Sequence, residues 1–209
     1  MEFHVWLAFA SASIALLLIP GPTVLLVLSY AISQGKRVAV ATAAGVALGD
    51  LVAMSASLAG LGGLVLASAE LFLLLKWVGA AYLIYLGIKL YRSAAAASLD
   101  PVGDVADAAA GRVFAHAAAV TALNPKSIVF FIAFVPQFIN PQATLLPQFG
   151  ILVATFVGFA ALNALAYALL GDKLRQRIRH PAVMPILTRL GGGALVAMGV
   201  ATAAIRRSA

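Results

Sequence analysis

Leu18-Ile19-Pro20-Gly21-Pro22-Thr23 interrupts the first apolar run of the chain, and its reading decides the fold. Proline has no N–H and clashes with the carbonyl four residues back, so Pro20 and Pro22 leave the carbonyls of Leu16 and Leu18 without their normal partners. Gly21 precedes a proline and is pushed away from the helical region. Two half-helices are therefore expected, meeting in the middle of an apolar segment. Within lipid, such free backbone groups are tolerated only where they are buried in protein or line a polar cavity. The break thus reads as the wall of a binding site, with Pro20, Gly21, Pro22 and Thr23 as its residues.

Composition agrees with a membrane setting. The 209 residues are 63% apolar and only 10% charged, with a mean hydropathy of +1.04, whereas about 25% of a soluble domain is charged. There is room for roughly six helices of the ~20 residues needed to cross a ~30 Å hydrocarbon layer. Cysteine is absent, which excludes disulfides and thiolate metal sites. The net charge of +7 falls in short gaps between apolar runs and forms no aromatic-studded patch, so it orients the chain in a bilayer rather than binding nucleic acid. Met1 to His4 carry no Lys or Arg, and the apolar stretch continues to Ala31, too far for a cleaved signal sequence; the segment is expected to be retained.

Apolar windows fall near residues 5–31, 38–66, 71–91, 114–137, 148–170 and 186–205. Lys36 and Arg37 lie in the first gap, Lys89, Arg92 and Arg112 flank the third, and Lys173, Arg175, Arg177, Arg179 and Arg189 crowd the fifth. The positive-inside rule then puts gaps one, three and five in the cytoplasm and both termini outside, against which Arg206 and Arg207 argue.

The alanine-rich third gap, with Asp100, Pro101, Gly103, Asp104 and Asp107, reads as a mobile polar linker. It spans residues 93–112 and divides the chain into halves of three helices, 1–92 and 113–209. The halves look related. Gly79 and Gly87 are echoed by Gly191 and Gly199, and Asn124-Pro125-Lys126 interrupts span four as Pro20-Gly21-Pro22 interrupts span one. Asn163 precedes Gly191 much as Asp50 precedes Gly79. The expected fold is an all-α integral membrane protein: six transmembrane helices forming two inverted three-helix repeats, with helices one and four broken. Such repeats with broken helices near the midplane mark secondary transporters.

A charge at the bilayer centre costs about 2.5–3.5 kcal/mol on insertion scales, so each deep ionisable residue needs a reason. Asp50 lies about twelve residues into span two, about 18 Å along a helix, and Lys126 lies comparably deep in span four. Together with the break at Pro20 they suit a zwitterion. The start of the second half-helix near Thr23 offers free N–H groups and the positive end of a helix dipole to a carboxylate, assisted by Lys126 or by backbone at Asn124 and Pro125. Asp50 is the deep anion available to an ammonium group; it could equally carry the proton that couples transport, or form a plain ion pair with Lys126. Gly45 and Gly49 form a small-residue face beside Asp50 that suits close helix packing. Asn163, Tyr167, Tyr82 and Tyr85 are polar groups that either face a cavity or join helices. Trp6, Trp77, Tyr30 and Tyr91 fall near span ends as interfacial anchors. His4, His116 and His180 lack ligand-like spacing, so no metal site is expected.

These residues resemble the lysine-exporter (LysE/RhtB) family of bacterial inner-membrane amino-acid exporters. The matching features are Pro20-Gly21-Pro22, Gly45 with Gly49-Asp50, Ala81-Tyr82-Leu83 with Tyr85-Leu86-Gly87, Asn124-Pro125-Lys126 followed by Pro136-Gln137-Phe138, and the glycine-rich sixth span. The resemblance implies efflux of an amino acid or close derivative from the cytoplasm, driven by the proton motive force, with protons and lipid as the other partners and no cofactor. Relatives resembling arginine and lysine exporters place a second acid soon after the Asn-Pro pair. Here Ser127, Ile128, Val129, Phe130 and Phe131 follow Lys126, which favours a neutral substrate of homoserine, threonine or branched-chain type.

Other classes fit less well. Leu48-Gly49-Asp50 faintly resembles intramembrane aspartyl proteases, but these need a second aspartate to share a proton, and no His-Glu-x-x-His occurs. An exporter of another small solute, a passive channel or a structural subunit stays open. The Gly/Ala faces would allow a homodimer without requiring one.

Overall fold

The computed structural model describes residues 1–19, 21–67, 69–94, 108–140, 142–178 and 183–204. Among them there is no strand, and each apolar window is helical: α1 (Phe3–Leu18), α2 (Pro22–Gln34), α3 (Ala39–Ala67), α4 (Ala69–Ser93), α5 (Ala110–Ala122), α6 (Pro125–Val129), α7 (Leu145–Ile178) and α8 (Val183–Ala204). Three stretches of described residues are long and apolar enough to cross a membrane: Pro22–Gly60, Leu145–Leu170 and Pro185–Ala204. A fourth results when α5 and Pro125–Phe138 count as one span bent by 43°.

The breaks fall where backbone chemistry puts them. Helix α1 stops at Leu18; Ile19 is extended, and its N–H returns to the Leu16 carbonyl at 3.2 Å. Pro22 then opens α2 at the helix position whose N–H would lack a partner anyway. The second break repeats the device. Leu123 ends α5, Asn124 caps α6 by accepting the Lys126 N–H on its side-chain oxygen at 3.1 Å, and Pro125 takes the first helical position.

The Pro22–Gly60 stretch turns back on itself instead of forming one rod. Thr23 meets Thr121 and Tyr30 meets His116, so α2 runs antiparallel to α5. Gly45 packs on Phe114 and Ala117, and Gly49 on Ala118 and Thr121, so α3 runs parallel to α5. The reversal falls at Gly35, with φ +62°, a left-handed backbone that glycine adopts without a Cβ penalty.

Small residues set how closely the helices approach. A Cβ at Gly49 would lie 2.6 Å from the Ala118 carbonyl oxygen and 2.7 Å from the Thr121 Cβ. Gly49→Ala is therefore expected to push α5 off α3 and cost about 1–3 kcal/mol, read as a lowered Tm in detergent. Gly60→Ala, whose Cβ would meet nothing within 4 Å, is the control and should not lower Tm. An unchanged Tm for Gly49→Ala would mean that α3 and α5 are not held by this contact. Helices α4 and α8 meet in the same way: a Cβ at Gly87 or at Gly192 would lie 2.6 Å from the other's carbonyl oxygen, and Gly199 lies on Ala80 and Ile84.

Beyond α6 the chain does not continue as an α-helix. Pro136 cannot donate to Ile132, and residues Phe130–Phe134 form a π-helical turn in which the Val135 N–H reaches the Phe130 carbonyl. Gln137 donates to the Ala133 carbonyl at 3.3 Å and to Thr202 Oγ1 on α8 at 2.7 Å, tying this irregular backbone down. The turn carries Phe130 and Phe131 into the core, where Phe131 meets Phe156 of α7 edge-on at 4.8 Å.

Ser93 lies in α4 and Arg112 in α5; Asp100, Pro101, Gly103, Asp104 and Asp107, between them, lie outside the described residues. Arg179, His180, Arg206 and Arg207 also lie outside them. Lys173, Arg175 and Arg177 lie past the apolar Leu145–Leu170 stretch, in the helical end of α7. Tyr30 is no interfacial anchor: it is buried, and its hydroxyl is 2.8 Å from His116 Nδ1.

Candidate functional site

The two breaks face each other and exchange side chains. From the second, the Lys126 ammonium donates to the carbonyls of Leu16 at 3.0 Å and Ile19 at 2.8 Å. Both acceptors lie at the end of α1, the negative end of its dipole, and the Leu16 carbonyl takes the ammonium in addition to the Ile19 N–H. From the first, Thr23 Oγ1 accepts from Asn124 Nδ2 at 3.1 Å and lies 3.4 Å from Thr121 Oγ1. A third helix contributes: Asn163 Nδ2 donates to the Leu17 carbonyl at 3.3 Å. Proline chemistry creates the free carbonyls, and side chains far away in sequence satisfy them.

Between the breaks lies a cavity. Helix α7 presents Ala160, Asn163, Ala164 and Tyr167, a spacing that puts all four on one face. Helix α3 presents Val46 and Asp50, one turn apart. Leu16, Leu17, Thr23, Val24 and Val27 close the side of the first break, and Asn124, Lys126 and Ser127 that of the second. The space open to the centre of a water molecule is about 20 Å³, enough for one or two waters. Admitting an organic solute requires the walls to part.

Asp50 is the unusual member. It is 2% exposed, and its Oδ1 has no hydrogen-bond partner. Asp50 and Lys126 are not within the 4.0 Å of an ion pair, so they do not form the direct pair that the sequence left open. Lys126 has spent two of its three protons on backbone. An unpaired buried carboxylate facing a polar cavity is expensive to maintain.

Of the residues expected at the site, Thr23, Asp50, Asn124, Lys126 and Asn163 line the cavity together. Gly21 lies behind them against the Lys126 side chain, 3.4 Å from Nζ to a Cβ built on it. Pro22 and Pro125 open their helices and are not part of the lining; Pro20 lies outside the described residues. Tyr167 lines the cavity, whereas Tyr82 and Tyr85 are exposed on α4. The carbonyls that side chains reach here are those of Leu16, Leu17 and Ile19, of which the sequence pointed to Leu16. Ser127 and the α7 alanines were missed. The small and polar residues at the helical spacing of 160, 163, 164 and 167 were the available signal.

The family model for LysE type translocators matches residues 14–205. The chain belongs to this family. As a LysE type translocator it is a membrane transporter and not an enzyme. It is 36% identical over 208 residues to the homoserine/homoserine lactone efflux protein of Salmonella typhimurium, covering 100% of both chains. It is equally similar, at 36% over 208 residues, to the protein of the same name from Salmonella typhi. An uncharacterized membrane protein of Vibrio cholerae is 34% identical over 200 residues, 96% of this chain and 97% of its own. No solved structure matches.

Proposed function

We propose that this LysE type translocator exports a neutral amino acid of homoserine, threonine or branched-chain type from the bacterial cytoplasm across the inner membrane, driven by the proton motive force. The observation that carries the reading is Asp50, a buried carboxylate with an unpartnered oxygen facing a cavity at two helix breaks. The substrate ammonium pairs with Asp50. Its carboxyl group faces the start of α2, where Thr23 and Val24 lie in the first turn, no side chain caps the helix and the dipole is positive. One carboxylate holds a proton or an ammonium but not both, so competition between them at Asp50 couples the two fluxes. The relatives named for homoserine and its lactone support a small substrate, as do the alanines of α7.

The six helical windows form two inverted repeats, with gaps one, three and five cytoplasmic. Glycine contacts support the relation between halves: Gly191 packs on Ile19 at the first break, and Gly79 on Ala133 beyond the second.

The test is release from proteoliposomes preloaded with a panel of amino acids, with and without an imposed proton gradient. Saturable, gradient-dependent release of a neutral amino acid is expected. Release that neither saturates nor responds to the gradient would make the protein a passive channel, and no release of any amino acid would move it to another solute.

A further inference from the structure

Resting on the export reading, we infer that the solute leaves the cavity along the first half-helix, past Ser13 and Gln137, and that the contact of Phe9 with Phe138 is the outer gate of this route. Among the described residues, three buried side-chain atoms have no hydrogen-bond partner: Asp50 Oδ1, Ser13 Oγ and Gln137 Oε1. The first faces the cavity. Ser13 is fully buried in α1, on the face that also carries Phe9 and Leu16. Leu16 and Leu17, three and four residues on, line the cavity, so Ser13 stands one helical turn, about 5 Å, beyond its wall. Phe9 stands a further turn out, with its ring 5.4 Å from that of Phe138 and edge-on to it. Phe138 in turn meets Phe134 at 5.2 Å, and Gln137 is its neighbour in the chain.

Both polar groups are unsatisfied in ways that their neighbours are not. A hydroxyl within a helix can donate to the carbonyl four residues back, and Ser11, Ser29, Thr42 and Thr202 all do so at 2.8 Å. Ser13 makes no such bond. Gln137 uses its amide nitrogen on Ala133 and Thr202 and leaves its oxygen, an acceptor, without a donor. A buried polar atom without a partner is destabilising, and an apolar side chain at either place would avoid that cost. The two atoms gain partners when Phe9 and Phe138 part and a hydrated, polar solute passes between them. The deformable side of the gate is the irregular one: Phe130–Phe138 is a π-helical turn followed by a 3-10 turn, facing a regular helix in α1. With the termini outside, the gate opens on the outer face of the membrane.

The chain has no cysteine, so single cysteines report access directly. Ser13→Cys is compared with Leu83→Cys, equally buried but on α4 and away from the cavity. A charged, membrane-impermeant methanethiosulfonate reagent is added to right-side-out and to inside-out membrane vesicles during L-homoserine flux. Ser13→Cys is expected to react in right-side-out vesicles and to lose flux once modified, whereas Leu83→Cys stays unmodified. Ser13→Ala provides a second readout that does not depend on how the cysteine variant folds. Its efflux is expected to slow by about two- to tenfold, the effect of one neutral hydrogen bond on a rate, with a Tm no lower than that of the wild type. A folded Ser13→Cys that carries flux but never reacts, or reacts in inside-out vesicles alone, overturns the route and leaves the export reading standing. So does a Ser13→Ala protein with wild-type efflux. Absence of amino-acid flux through the wild type removes the export reading instead.

Discussion

Asp50→Asn abolishes export while leaving a folded protein in the membrane: this is the largest effect expected of a single substitution. Asparagine keeps the shape of the side chain in a cavity with about 20 Å³ of free space, so packing against Val46 and the α7 face is conserved. The fixed negative charge is lost. An ammonium entering the site would then be buried without a counter-charge, a penalty of about 3–5 kcal/mol, or more than 100-fold in affinity. Stability should not fall, because the wild-type carboxylate has an oxygen with no hydrogen-bond partner and a neutral amide is cheaper to bury. Efflux per folded molecule, with folding followed by size-exclusion profile and Tm, separates the two effects. Undiminished flux in a well-folded Asp50→Asn protein would remove Asp50 from the mechanism.

Lys126→Met has the second largest effect, and it is one of stability as much as transport. Methionine matches the length of the lysine stem but cannot donate, so the carbonyls of Leu16 and Ile19 lose their ammonium partner inside the protein. Hydrogen bonds to a charged group contribute about 1.5–3 kcal/mol each, and Asp50 loses the nearest opposite charge. A fall of about 3 kcal/mol or more is expected, seen as low membrane yield, a lowered Tm and no efflux. The double variant Asp50→Asn/Lys126→Met discriminates between two roles for the lysine. If Lys126 mainly caps the end of α1, removing Asp50 as well restores only part of the lost stability. If it mainly neutralises Asp50, the double variant recovers nearly all of it. The hydrogen bonds favour the cap. Full recovery, or a single variant as stable as wild type, would contradict it.

Both results bear on how the transporter moves. The end of α1 is held by a residue at the start of α6, the start of α2 by Asn124 and Thr121, and α1 again by Asn163 of α7. Each bond crosses a break, where the backbone is already free of helix hydrogen bonds. Opening the cavity for a solute is expected to strain these polar latches before the α4–α8 and α3–α5 packing, which is built on glycine contacts. Asp50 stands beside the latches, on a helix that has no break within its deep part.

By itself, the sequence determined the features that depend on near neighbours in the chain. Pro22 and Pro125 stand at helix breaks because a proline lacks its N–H wherever it stands, and Asn124 caps because its side chain reaches the N–H two residues on. The apolar windows and the depth of Asp50 and Lys126 follow from counting residues along a helix of fixed rise. Gly45 and Gly49 marked a close helix contact, although not with which helix. Only the tertiary structure decided the pairings. Lys126 bonds Leu16 and Asn163 bonds Leu17 across separations of 110 and 146 residues. Nothing local tells a buried ammonium whether its partner is the nearest carboxylate or an orphaned carbonyl; that depends on which broken helix end the fold brings within about 3 Å. The α7 wall of the cavity has the same origin, since its residues line a space whose other sides come from distant parts of the chain.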